Sequence, residues 1–133
     1  MNKLKWWLRI VGGWYLLLGL AGLLLPLFNP EMYAAGLPPA QRGDALAVAA
    51  SMDMNFAVML VFIVLSVMMF IASRDPARAR FFIWAMVCLE FFAYTVVNVI
   101  WTVRGWENTV PIIVLHLLFG ATGFMFLRQT KAE

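Results

Sequence analysis

The sequence predicts an all-α integral membrane protein: one four-helix bundle occupying residues 1–133 as a single domain, with both termini cytoplasmic. Three observations carry this expectation. Hydrophobic residues make up 64% of the chain and charged residues only 13%, against about a quarter charged in an ordinary soluble domain. The apolar residues are gathered into four stretches, each close to the roughly 20 residues that cross about 30 Å of hydrocarbon as a helix. The basic residues flank those stretches unevenly, as the retention of Lys and Arg on the cytoplasmic side requires.

The expected spans are 6–28, 46–72, 81–102 and 110–127. The first begins with KLKWWLRIVGGWYLLLGLAGLLLPLF, which has the basic start and apolar middle of a secretion signal. Its long core lacks an A-x-A-like end, which favours a retained helix. Gly12, Gly19 and Gly22 share one side of it, a seam suited to close helix approach. The first connection, NPEMYAAGLPPAQRGD, is the only long one; Pro30 can open a short interfacial turn, whereas Pro38 and Pro39 argue against regular helix. The connection SRDPARAR is short and broken by Pro76, so spans two and three are expected to form an antiparallel hairpin. RGWEN is tighter still and makes spans three and four neighbours.

Counting Lys and Arg gives the orientation. Lys3, Lys5, Arg9, Arg74, Arg78, Arg80, Arg128 and Lys131 lie at one end, and only Arg42 and Arg104 at the other. So strong a bias disfavours a dual-topology antiparallel dimer. The same scatter in short groups explains the net charge of +3 without a nucleic-acid partner. Trp6, Trp7, Trp84, Trp101 and Trp106 fall near the span ends, where amphipathic rings anchor at the membrane surface. The lone Cys88 excludes an internal disulfide, a CxxC redox pair and a cysteine metal cluster.

Polar residues within the spans are costly, at about 2.5–3.5 kcal/mol for an ionisable group at mid-membrane, so they face the bundle interior and find partners. Glu90 lies near the middle of span three in CLEFFAYTVVN. On a regular helix Tyr94 follows at about 40° around the axis, Asn98 at about 80°, and Trp101 returns to about 20°. These four residues form a polar and aromatic stripe, with Cys88 on the other side. His116, the only histidine, lies at a matching depth in span four, and Gly120 and Gly123 share its face. A Glu90–His116 hydrogen bond is therefore geometrically open. Asn55, with Met59, Phe62 and Ser66 on one face of span two, is the candidate third wall.

These residues admit two readings. In one, Glu90 and His116 are a buried polar pair that fixes helix register. In the other they anchor the polar group of a small hydrophobic or aromatic compound in an outward-facing cavity, with Tyr94 and Trp101 stacking on it and Asn55 and Asn98 orienting it. A structural or accessory subunit that docks another membrane protein is the alternative, and a membrane enzyme using the Glu/His pair as acid and base is a third. Expected partners are membrane lipid, that small compound, and a second copy or another membrane protein. No cofactor is expected. Met52 and Met54 have the thioether softness that suits Cu(I), but methionine is an ordinary filler of apolar packing, and no zincin, phosphate-loop or nucleophile-elbow pattern is present.

LKWWLRIVGGWYLLLGLAGL, LPPAQRGDALAV and PIIVLHLLFGATGFMFLRQ together resemble the BphX-like family of small four-span bacterial proteins, with a looser resemblance to DoxX-like proteins. The resemblance implies a four-helix bundle in the bacterial inner membrane; it implies no functional residues.

Overall fold

A computed structural model describes residues 2–106 and 109–129. Lys131 and the Glu107–Asn108 part of the RGWEN link lie outside them. Seven α-helices and one π-helical segment are present, with no strand among the described residues. They are α1 (Asn2–Phe28), α2 (Pro30–Ala35), α3 (Pro39–Arg42), α4 (Ala45–Ala72), α5 (Arg80–Cys88), the π segment Leu89–Tyr94, α6 (Thr95–Val103) and α7 (Thr109–Gln129). The α5–π–α6 run is continuous, so four helices are long and apolar enough to cross a membrane: Lys3–Phe28, Ala45–Ala72, Arg80–Val103 and Thr109–Gln129. At 1.5 Å per residue the shortest of them, with 21 residues, measures about 32 Å, which matches the hydrocarbon thickness.

Capping sets the boundaries. Asp44 accepts hydrogen bonds from Leu46 N (2.9 Å) and Ala47 N (3.1 Å) and so starts α4. Asn29 accepts from Met32 N at 3.0 Å, and Pro30 follows at the first helical position of α2. Pro38 and Pro39 do not exclude helix as the sequence suggests; they initiate the single turn α3, because a proline costs nothing where its missing N–H would have no partner. Tyr33 Oη donates to Ser51 O at 2.9 Å and pins α2 to α4; burial pushes its phenol above the usual pKa.

Pro26 lies inside α1 and has no N–H to offer the carbonyl of Gly22, four residues back. Asn55 supplies the missing donor: its Nδ2 lies 2.7 Å from Gly22 O. Ser66 Oγ donates to Gly12 O at 2.7 Å along the same seam. The Asn55–Met59–Phe62–Ser66 face of α4 thus lies against α1, and the glycines are what admit it. A Cβ at Gly19 would stand 2.7 Å from Ile63 Cγ1 and 3.0 Å from Met59 O.

The strong helix contacts join α1 to α4, α7 to the third span, and α1 to α7. None of the principal contacts joins α4 to the third span, although only a short connection links them. They meet instead through side chains, with Phe62 and Tyr94 edge to face at 5.6 Å. The bundle is two hairpins, α1/α4 and third span/α7, held together along α1. Lys3 Nζ to Gln129 Oε1 (3.1 Å), Arg9 Nε to Ser73 Oγ (3.4 Å) and Arg80 Nη2 to Leu127 O (3.1 Å) bring the described basic span ends to one end of the molecule. Trp7 is no surface anchor. It is buried, donates from Nε1 to Phe119 O at 3.0 Å, and seals the α1–α7 contact.

Candidate functional site

Glu90 is completely buried and its carboxyl has two partners. Tyr15 Oη donates to Oε1 at 2.7 Å, and Oε2 lies 2.6 Å from His116 Nδ1. Three spans therefore converge on one carboxyl group. The His116 ring stacks on Tyr94 (centroids 5.1 Å apart, planes 25° from parallel), and Tyr94 meets Tyr15 at 5.6 Å. Phe62 closes the cluster edge-on to Tyr15 at 5.0 Å.

The local backbone explains why these residues face inward together. In the π segment each turn takes one more residue than in an α-helix. Glu90 O accordingly accepts from Thr95 N, five residues on, and from Thr95 Oγ1 at 2.7 Å. Removing that extra residue from the angular count leaves Glu90 and Asn98 seven effective steps apart, within about 20° of one another rather than about 80°. Trp101 moves the opposite way, to about 80°. Burial follows the corrected angles: Asn98 is 5% exposed and Trp101 38%.

On the end of the bundle away from the basic cluster, a cavity of about 780 Å³ opens between the two hairpins. Such a volume is typical of a small-molecule site. Its walls are almost wholly apolar, from Leu18 and Phe62 at mid-bundle to Phe28 and Asn29 at the outer end of α1, with Trp101 on the facing wall. Tyr94, Asn98 and His116 are the polar residues lining its inner half.

Of the six residues that the sequence singles out, four line this space: Tyr94, Asn98, Trp101 and His116. Glu90 stands behind them, touching His116 but not the cavity. Asn55 is spent on Gly22 O. Tyr15 is the member that the sequence reading passes over, although its place between Gly12 and Gly19, on the seam side of α1, was the available signal.

The arrangement has a definite chemical consequence. With Nδ1 committed to Glu90, the His116 ring is fixed in orientation, and Nε2 remains as its one polar atom without a hydrogen bond among the described residues, on a side chain that lines the cavity. Asn98 Nδ2 donates to Tyr94 O at 2.8 Å, while Asn98 Oδ1 is buried and has no partner. No group of three or more His, Cys, Asp or Glu side chains placed to hold a metal ion occurs among the described residues. A second recess of about 610 Å³ lies between α1 and α7 at the basic end; Lys3 and Thr122 are the polar residues of its otherwise apolar lining.

No protein family, curated protein or solved structure matches this chain.

Proposed function

We propose that this chain is a multi-pass protein of the bacterial inner membrane, with both termini in the cytoplasm, that binds a small hydrophobic or aromatic compound, or assists its passage, in the cavity between its hairpins. Membership of the BphX-like group, whose texture the chain resembles, belongs to the same reading. The orientation rests on the eight-to-two division of Lys and Arg, which would turn the cavity toward the outside.

The observation that carries the function is the composition of the cavity. An apolar space of about 780 Å³ ends on a stacked Tyr94–His116 pair and on Asn98, and a few convergent polar groups within an apolar wall are the usual makeup of a small-molecule site. A site needed only for helix register would have its polar atoms paired. Here His116 Nε2 is left over, on a side chain that lines the cavity, where an occupant would meet it.

Thermal unfolding of the detergent-solubilised protein with 4-octylphenol tests this. At about 100 times its Kd, a ligand confined to the folded state adds about 2.7 kcal/mol. Wild type should show such a rise, His116→Ala a smaller one, and Val97→Trp, which puts bulk into the cavity wall, almost none. An equal rise in all three proteins would place the compound elsewhere and remove the cavity as its site.

A further inference from the structure

The recess between α1 and α7, about 610 Å³ in volume, has the opposite polarity to the large cavity: its charged group stands at the rim and its interior is apolar. Inward of Lys3 and Trp6 the polar side chains of the lining are already engaged. Trp7 Nε1 donates to Phe119 O at 3.0 Å, and Thr122 Oγ1 donates to Leu118 O at 2.7 Å. An occupant meets hydrocarbon and aromatic faces there and no free hydrogen-bonding group. At the rim, Lys3 Nζ bonds to Gln129 Oε1 at 3.1 Å and lies 6.0 Å from the Phe126 ring centroid. No carboxylate pairs with it among the described residues.

Length and charge add two constraints. The α7 wall runs from Phe126 back to Leu115, eleven residues or about 16 Å at helical rise, close to the hydrocarbon depth of one leaflet, half of about 30 Å. The groove is open along its side, since Trp6, Ile10 and Leu118 are 56%, 61% and 56% exposed. Among the described residues this end of the molecule carries Lys3, Lys5, Arg9, Arg74, Arg78, Arg80 and Arg128 against one acid, Asp75, which lies 3.2 Å from Arg78 Nε. Basic groups at the edge of a groove between spans attract anionic head groups.

We propose that this recess binds an anionic phospholipid from the leaflet at the basic end, with one acyl chain along the α1–α7 groove over Trp7 and the phosphate held by Lys3. The open side leaves the second chain in the surrounding bilayer. A soluble anion would satisfy Lys3 but leave the apolar walls unfilled. A zwitterionic lipid fills the walls but brings its own cation to a surface that is already strongly basic. The site is separate from the cavity between the hairpins and does not depend on that cavity taking a ligand.

The test titrates dioleoylphosphatidylglycerol and dioleoylphosphatidylcholine, which share their chains, into the protein in uncharged micelles and reads the lipid mole fraction at half-maximal thermal stabilisation. In wild type the phosphatidylglycerol should act at about 5-fold lower mole fraction, the effect expected of one lysine on an anionic head group. In Lys3→Gln, which keeps a donor for Gln129, the two midpoints should converge to within about 2-fold. Leu118→Trp, which puts bulk into the recess from an exposed position, should remove the preference as well, whereas Val97→Trp, in the wall of the other cavity, should keep it. Equal midpoints in wild type, or a preference that persists in either Lys3→Gln or Leu118→Trp, would overturn the site. Loss of the preference in Val97→Trp would place the lipid in the large cavity and overturn it too. Glycerol 3-phosphate, a head group without chains, should give no stabilisation; if it reproduced the effect of phosphatidylglycerol, the recess would be a phosphate site and the lipid assignment would fall.

Discussion

Glu90→Ala should be the most damaging single substitution within the spans, lowering stability by about 3–5 kcal/mol. The expectation follows from what the change leaves behind. Tyr15 Oη and His116 Nδ1 both depend on the lost carboxyl, and both residues are buried, Tyr15 fully so and His116 3% exposed. Two orphaned polar groups in an apolar interior cost far more than the bonds contributed, which average only about 0.6 kcal/mol each in membrane bundles. Glu90→Gln provides the contrast, because its amide oxygen accepts from Tyr15 and its NH2 donates to an unprotonated His116 Nδ1. It should cost no more than about 1–2 kcal/mol. Unfolding of purified protein by graded detergent denaturation measures both, and Glu90→Ala at wild-type stability would mean that the three groups are not joined as described.

The second large effect is expected at Gly123. A Cβ there would stand 2.6 Å from Trp7 Cζ2, 2.8 Å from Trp7 Cε2 and 2.8 Å from Val87 Cγ2. Both neighbours are buried, and the indole is tethered by its bond to Phe119 O, so the ring cannot simply swing aside. Gly123→Ala should cost about 1–3 kcal/mol through forced shifts, and Gly123→Leu should prevent stable closure of α7 on α1. Gly13→Ala is the control. Nothing lies within 4 Å of its Cβ, and exchanging glycine for alanine within a helix favours the folded state by up to about 1 kcal/mol. Thermal denaturation of the three variants beside wild type measures the difference; a Gly123→Ala protein as stable as Gly13→Ala would contradict the packing at Trp7.

Much of the fold is legible in the sequence because length and hydropathy define helices that span a bilayer without reference to tertiary contacts. The bounds of the four long helices differ from the expected ones by only a few residues. The depth match between Glu90 and His116 is readable for the same reason, since rise per residue is nearly constant. Angle is less secure. The π segment adds a residue to one turn of the third span, and nothing in LEFFAY announces it; the regular-helix count therefore places Trp101 nearer to Glu90 than Asn98, and the structure reverses them. Which helices pack is less secure still. Short connections suggest that spans two and three pair, but the glycine seam of α1 takes α4 instead and leaves the gap that becomes the cavity. Asn55 shows how one local need can redirect a polar residue: the proline at position 26 frees a carbonyl, and the nearest amide across the seam is used to satisfy it.

His116 offers the most direct test of whether this buried cluster serves a binding cavity, because it is the only histidine in the chain and its two nitrogens face different neighbours. With 15N-labelled histidine, the imidazole spectrum of the protein in micelles or nanodiscs reports Nδ1 and Nε2 separately. Titration with 4-octylphenol should move the Nε2 resonance in a saturable way while Nδ1 keeps the signature of its hydrogen bond to Glu90, and Val97→Trp should abolish the movement. A histidine spectrum unchanged at concentrations that saturate thermal stabilisation would contradict binding at this cavity.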